Sequence, residues 1–206
     1  MNAKRLHLLT TCGLVAAAPL AVMALPLASH SAPTGDAPAV NAGEFSPYVT
    51  KDGAISRPTD YRETFLHLGT FAVASKPNQP VDEMHNVYAR LQDIQAYRRD
   101  GKFPDGAALV KEVTKVGSGD LTTGHDYWSM DTKLWFVMIK DAKGRFPGND
   151  LWGDGWGWAL FMQNEPARNV ATDYAADCKT CHLPAKKDDW LYVRGYPILR
   201  DSKKTD

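Results

Sequence analysis

Two cysteines and a histidine stand together near the end of the chain, in Cys178-Lys179-Thr180-Cys181-His182. Two thiols separated by two residues can form thioethers with both vinyl groups along one porphyrin edge. The histidine that follows then lies under the metal as its proximal ligand. This is the spacing of a covalent c-type haem attachment, with one haem per motif. The same spacing also serves thioredoxin-type redox pairs and half of a zinc site. A redox pair needs the strand-to-helix context of a βαβ unit, which the hydrophobic pattern does not offer. A zinc site needs further ligands at close spacing, and His67, His85 and His125 are scattered. The residues therefore favour haem c, with His182 on the iron.

The rest of the cysteine usage agrees. Of three cysteines, Cys12 lies in an apolar N-terminal stretch, so the chain beyond it keeps only the two in the motif. A disulfide framework would need more. The N-terminal stretch itself starts with Lys4, Arg5 and His7. It runs apolar or small from Leu8 to Ala28 and ends on Ser29-His30-Ser31-Ala32. That layout predicts a secretory signal peptide over residues 1–32 and a periplasmic destination, outside the cytoplasm, where c-type haem is attached. The apolar run also approaches the length of a membrane span, so an uncleaved anchor is the alternative. Removing residues 1–32 takes away Lys4 and Arg5 and no acid, which turns the net charge from 0 to −2. Such a balance offers no nucleic-acid or membrane-surface partner.

Function depends on what stands opposite His182. A strong sixth ligand such as methionine makes an electron carrier, whereas an open position permits chemistry on a small molecule. The candidate methionines are Met84, Met130, Met138 and Met162. Met138 and Met162 sit in apolar runs, where core filling explains them. Lys111 is the other residue that bears on the question. Period-two alternation places it on one strand face with Ala107, Leu109 and Val113. An ammonium in that phase is costly to bury. From the residues alone, the favoured reading is an edge-strand lysine whose stem lies on apolar surface and whose head reaches water.

The elements that must position these groups are mostly short strands. Residues 33–47 are small, Pro-rich and aperiodic, which predicts a flexible lead-in to a domain over residues 48–206. Tyr61 to Val73 reads as extended, Lys76 to Pro80 as a loop, and His85 to Tyr88 as a strand. Leu91, Ile94 and Tyr97 mark an amphipathic helix stopped by Gly101. Phe103-Pro104-Asp105-Gly106 is a turn. Strands follow at Ala107–Val116, Lys133–Lys140 and Trp158–Met162, with a Gly/Trp-rich loop over Gly144–Gly157. The expected class is α+β, a single haem domain built on a predominantly antiparallel sheet with a few helices.

Three stretches together resemble the cytochrome P-460 family. They are Gly101-Lys102-Phe103-Pro104-Asp105-Gly106-Ala107-Ala108-Leu109-Val110-Lys111-Glu112-Val113, His85-Asn86-Val87-Tyr88, and the tail from Cys178 through Trp190-Leu191-Tyr192-Val193 to Tyr196-Pro197-Ile198-Leu199-Arg200. The resemblance runs from about Tyr61 to Arg200. It implies an often dimeric protein, hence a homodimer here, with a five-coordinate haem that oxidises hydroxylamine towards nitrous oxide or nitric oxide. A small cytochrome c or similar one-electron acceptor would take the electrons. It also implies a lysine cross-linked to the porphyrin, and Lys111 falls at that place, which reverses the reading from the residues alone. A distal carboxylate before the haem motif assists proton transfer in the family. Asp173 is the best match here, as an aspartate where a glutamate is expected; a helix cap or solvated acid is its other reading. The related cytochromes c′-β lack the cross-link and bind nitric oxide in an apolar pocket; Phe65, Phe71, Phe103 and the tryptophans could furnish one, and ordinary core packing explains them equally. A His/Met electron carrier is the remaining alternative.

Overall fold

Among the described residues seven strands form one sheet and pair antiparallel throughout. The computed structural model describes residues 45–200. The signal peptide expected over 1–32 and most of the lead-in fall outside the described residues. In chain order the strands are β1 (Leu66–Val73), β2 (Glu83–Ala89), β3 (Ala108–Leu121), β4 (Gly124–Lys140), β5 (Trp152–Gly153), β6 (Trp156–Met162) and β7 (Glu165–Asn169); their order in the sheet is β1-β2-β3-β4-β6-β5, with β7 added on β6. The helices are α1 (Tyr61–Thr64), α2 (Leu91–Asp100), α3 (Tyr174–Asp177) and α4 (Lys179–His182), followed by three 3-10 turns up to Leu199. The α+β class with a mainly antiparallel sheet is what the sequence predicts.

The sheet is covered on both faces, and β3 shows why. Ala108 and Val110 face one cluster with Val137, Ile139, Ala159 and Phe161, closed by Tyr61, Phe65 and Ile55. Ala107 and Leu109 face another, with Val87, Ile94, Tyr97, Trp158, Trp190 and Leu199. A strand buried on both sides must be apolar at consecutive positions, which explains the unbroken Ala107–Val110 run. Glu112 falls on the first face. It is 2% exposed and bonded to Arg62 and to Thr132. The neighbouring Lys111 falls on the second.

Several expectations are corrected. Tyr61–Thr64 is one helical turn, not extended chain. Its turn buries Tyr61, whose hydroxyl accepts from the Trp135 indole at 3.0 Å, and brings Arg62 to Glu112. Leu91, expected on the buried face of α2, is exposed, while Ile94 and Tyr97 are buried. Gly101 stops that helix at φ +70°, its N–H donating to the Tyr97 carbonyl. β3 and β4 run on to a tight turn between Leu121 and Gly124, where each pairs only with the other and Leu121, Trp128 and Met130 are exposed. β5 and the start of β6 arise inside the expected Gly/Trp loop, and β7 follows β6 where the sequence predicts no strand. Phe45 and Ser46, placed in the lead-in, are packed: Ser46 is buried and the Phe45 ring lies 6.0 Å from Trp152. Among the described residues no helix is long and apolar enough to cross a membrane.

The C-terminal segment lies across β1 by a close backbone approach. A Cβ at Gly69 would fall 2.0 Å from the Gly195 carbonyl oxygen, and one at Gly195 would fall 2.2 Å from the Phe71 ring. Only paired glycines allow this contact, which seats Tyr196 edge-on against Phe71. Gly69→Ala is therefore expected to destabilise the protein by about 1–3 kcal/mol through overpacking, read as a lowered thermal midpoint. The C-terminal segment should become more sensitive to limited proteolysis.

Candidate functional site

The C-terminal segment and the second face of the sheet enclose a cavity of about 490 Å³, within the range of small-molecule and cofactor sites. Cys178, Cys181 and His182 line one side. Lys111 and His85, with Phe71, Val87, Leu109 and Phe136, line the sheet side.

Cys178 ends α3 and begins α4, so the motif turns through two short helices. Tyr174 anchors the first of them. Its ring stacks on Trp158 at 4.9 Å, and its hydroxyl donates to Asp154 at 2.7 Å. Gly153 is required beneath it, since a Cβ there would lie 2.4 Å from the Tyr174 ring. Trp158 then meets the His182 ring edge-on at 4.7 Å. Cys178 is buried and Cys181 is exposed. Burial pushes the Cys178 thiol up to about 11.

His182 is oriented by main chain. Its Nδ1 lies 2.9 Å from the Trp190 carbonyl oxygen. A carbonyl only accepts, so Nδ1 carries the proton and the Nε2 lone pair is left for a metal. Burial lowers the proton affinity of the ring, which favours the neutral, ligating form. The carbonyl is aimed by an unusual turn: Asp189 and Trp190 have φ of +57° and +69°, a left-handed conformation that costs non-glycine residues energy. The Asp189 carboxylate holds it by accepting from Lys140 Nζ at 2.5 Å and from the Phe103 N–H at 2.9 Å. Neither Asp189 nor the Trp190 carbonyl stands out in the sequence, because a main-chain acceptor has no residue signature.

Lys111 reaches the same cavity. Its pairing with Val87 and Phe136 places it in the middle of the sheet, not at an edge. The ammonium lies 4.1 Å from the Phe136 ring centroid, and no carboxylate pairs with it among the described residues. Burial lowers its pKa, partly offset by the cysteines and Glu83. A lysine so held is driven towards the neutral amine, the nucleophilic form.

Asp173 is not brought into the cavity. It is the N-cap of α3, its carboxylate accepting from the Ala175 N–H at 2.6 Å, so the cap reading describes its position. Asp177 lines the cavity instead, but its carboxylate accepts from the N–H groups of Thr172 and Asp173. Of the four candidate methionines, Met138 lines the cavity, buried between Leu109 and Trp158 in the sheet. Met130 is exposed, its sulfur 3.2 Å from the Trp128 indole nitrogen. Sequence reasoning singled out neither His85 as a cavity residue nor Trp158 as the partner of His182. A histidine in phase with Val87 on a strand is the signal that pointed to the first.

These features fit a haem. Two sulfurs and an oriented imidazole share one wall of an apolar cavity, and a half-buried amine stands in the other. A family model described as Cytochrome P460 matches residues 58–193, about two thirds of the chain. The Tyr196–Arg200 ending lies beyond that match; Tyr196 and Leu199 are buried there as core. A comparison with curated proteins finds none that matches. If both sulfurs carry thioethers, Cys178→Ser and Cys181→Ser are each expected to keep haem through the remaining bond, with a shifted pyridine haemochrome band. With Lys111 also replaced by alanine, the double variant should release its haem to acidic acetone.

Proposed function

The chain belongs to the cytochrome P460 family of haem cytochromes, and on that premise we propose that it is an exported oxidoreductase for hydroxylamine. In this reading one haem c is held by Cys178, Cys181 and His182 and cross-linked to Lys111, and the products are nitrous oxide or nitric oxide. The observation that carries the reading is Lys111, a half-buried amine without a carboxylate partner among the described residues, in the same cavity as the haem motif.

Bound haem supplies one-electron chemistry and an open coordination position for a small nitrogenous ligand. The chain's residues supply the rest. His182, fixed through Nδ1, would hold the iron through Nε2. Lys111, held towards its neutral form, offers the lone pair that a bond to the porphyrin requires. Phe71, Val87, Leu109 and Phe136 keep water from the sheet side, which strengthens every polar contact made there. Cys181 and Tyr192 are exposed at the cavity mouth, which favours electron exit from that edge to a small cytochrome c or another one-electron acceptor. The exposed Leu121, Trp128 and Met130 of the β3–β4 ribbon favour a homodimer, since apolar surface of this kind marks contact sites.

A second reading is a nitric oxide-binding protein of the cytochrome c′-β kind, which the apolar sheet wall favours. The reduced absorption spectrum separates the two. A Soret band strongly red-shifted from ordinary haem c is expected, and Lys111→Ala should abolish the shift. An ordinary high-spin spectrum in the wild type would support the nitric oxide reading, and a sharp low-spin spectrum an electron carrier with Met138 on the iron. Hydroxylamine with an artificial oxidant should turn over. Asp173→Asn, which keeps the helix cap, should leave that rate unchanged; a ten-fold or greater loss (about 1.4 kcal/mol) would restore Asp173 as the proton acceptor.

A further inference from the structure

Loss of Asp173 from the cavity leaves open where a proton released from a bound ligand goes. The titratable side chains of the lining divide clearly. Cys178, Cys181 and His182 form the attachment wall. Asp177 is on the same segment and is occupied by main-chain N–H groups. The Tyr192 hydroxyl donates to the Cys181 carbonyl, and burial raises the pKa of Tyr196. On the sheet wall only Lys111 and His85 remain.

His85 differs from Lys111 in having an exit. Its Nε2 lies 3.0 Å from Glu83 Oε2, and the other oxygen of Glu83 accepts from Lys133 Nζ. Glu83 and Lys133 are 27% and 40% exposed at their side chains, against 22% for His85. The chain of contacts therefore runs from the cavity lining to solvent. The His85 and Lys133 hydrogen bonds hold Glu83 below the usual carboxylate range, so it is an acceptor. His85 then donates from Nε2 and keeps its lone pair on Nδ1, for which the described residues supply no hydrogen-bond partner.

We propose that His85 is the proton acceptor of the cavity and that Glu83, braced by Lys133, passes the proton to solvent. The proposal rests on reading the cavity as a haem site with one open face. A proton leaving the ligand is taken up at Nδ1, and the proton on Nε2 moves to the Glu83 carboxylate. The carboxylate releases it to water, and the imidazole returns to its first tautomer by rotation or by proton exchange with water. No electron is transferred in these steps. The charged groups around His85 are Glu83 on its own strand, Lys111 on β3 and Lys133 on β4. Its β1 neighbour is the apolar Phe71, and Asp177 is the carboxylate across the cavity. Burial lowers the pKa of His85 from the ordinary histidine value, so the ring is neutral, and able to accept, at neutral pH.

Hydrogen cyanide tests this without any turnover, because it gives up its proton as it binds ferric haem. In the haem-loaded protein, His85→Gln is expected to slow cyanide association by about a hundred-fold at neutral pH and to remove the acidic limb of its pH profile. Glu83→Gln should move that limb to lower pH, since the Glu83 hydrogen bond and charge raise the proton affinity of His85. Carbon monoxide binding to the ferrous protein involves no proton and should keep its rate in both variants. Equal cyanide rates and pH profiles in wild type and His85→Gln would overturn the relay. So would parallel slowing of cyanide and carbon monoxide, which marks a structural role. If the wild type fails to oxidise hydroxylamine, the proposed reaction falls while the cyanide comparison still decides the relay.

Discussion

The buried ion pair between Lys140 and Asp189 is the contact on which the site's geometry depends. Lys140 ends the long strand β4, and Asp189 opens the left-handed turn that aims the Trp190 carbonyl at His182. The side chains are 11% and 8% exposed, so each charge has given up most of its water. A pair of this kind contributes little net stability over an apolar replacement, yet removing one partner leaves a buried charge and costs several kcal/mol, about 3–5 in comparable cases. Its value here is positional. The sheet is held by continuous strand pairing, the C-terminal segment is made of short turns, and the ion pair fixes the position of one against the other. The same carboxylate takes the Phe103 N–H, which ties in the turn that leads to β3.

Those parts of the fold whose burial repeats at the strand period were legible in the sequence. Ala107–Val113, Lys133–Lys140 and Trp158–Met162 are where apolar runs place them, because each lies inside the sheet and must satisfy neighbours on both faces. The outer halves of β3 and β4 were not legible. They pair only with each other, face water, and carry Gly, Ser, Thr and Asp, which resemble loop residues. β7 is similarly exposed. The helical turn at Tyr61 was hidden for the opposite reason: aromatic and β-branched residues suggest a strand, but burial of one tyrosine ring and the reach of Arg62 to Glu112 override that preference.

The site was legible where chemistry demands a particular side chain at a particular spacing. Cys178, Cys181 and His182 converge on one cavity wall, and Lys111 meets them from the sheet. The edge-strand reading of Lys111 failed because alternation alone does not reveal that strands flank β3 on both sides. The place of Asp173 before the motif makes it the match for the family's distal carboxylate, yet its side chain does not line the cavity. An acid just before a helix has the competing task of capping it, and Asp173 does that. The orienting carbonyl of Trp190 was beyond sequence reading, since every residue has one.

Lys111 and Glu112 are consecutive, and each is opposite in charge to what the other's face accepts. A slip of β3 by one residue would turn the carboxylate into the cavity and set the lysine against Arg62, exchanging an ion pair for a repulsion while also emptying the cavity of its amine. The alternation that builds the core therefore polices the alignment that builds the site. Over evolutionary time this closes one route of change. Single-residue insertions or deletions in this strand cannot drift by neutrally, whereas the outer ribbon beyond Thr114, where no such pair stands guard, is free to vary in length.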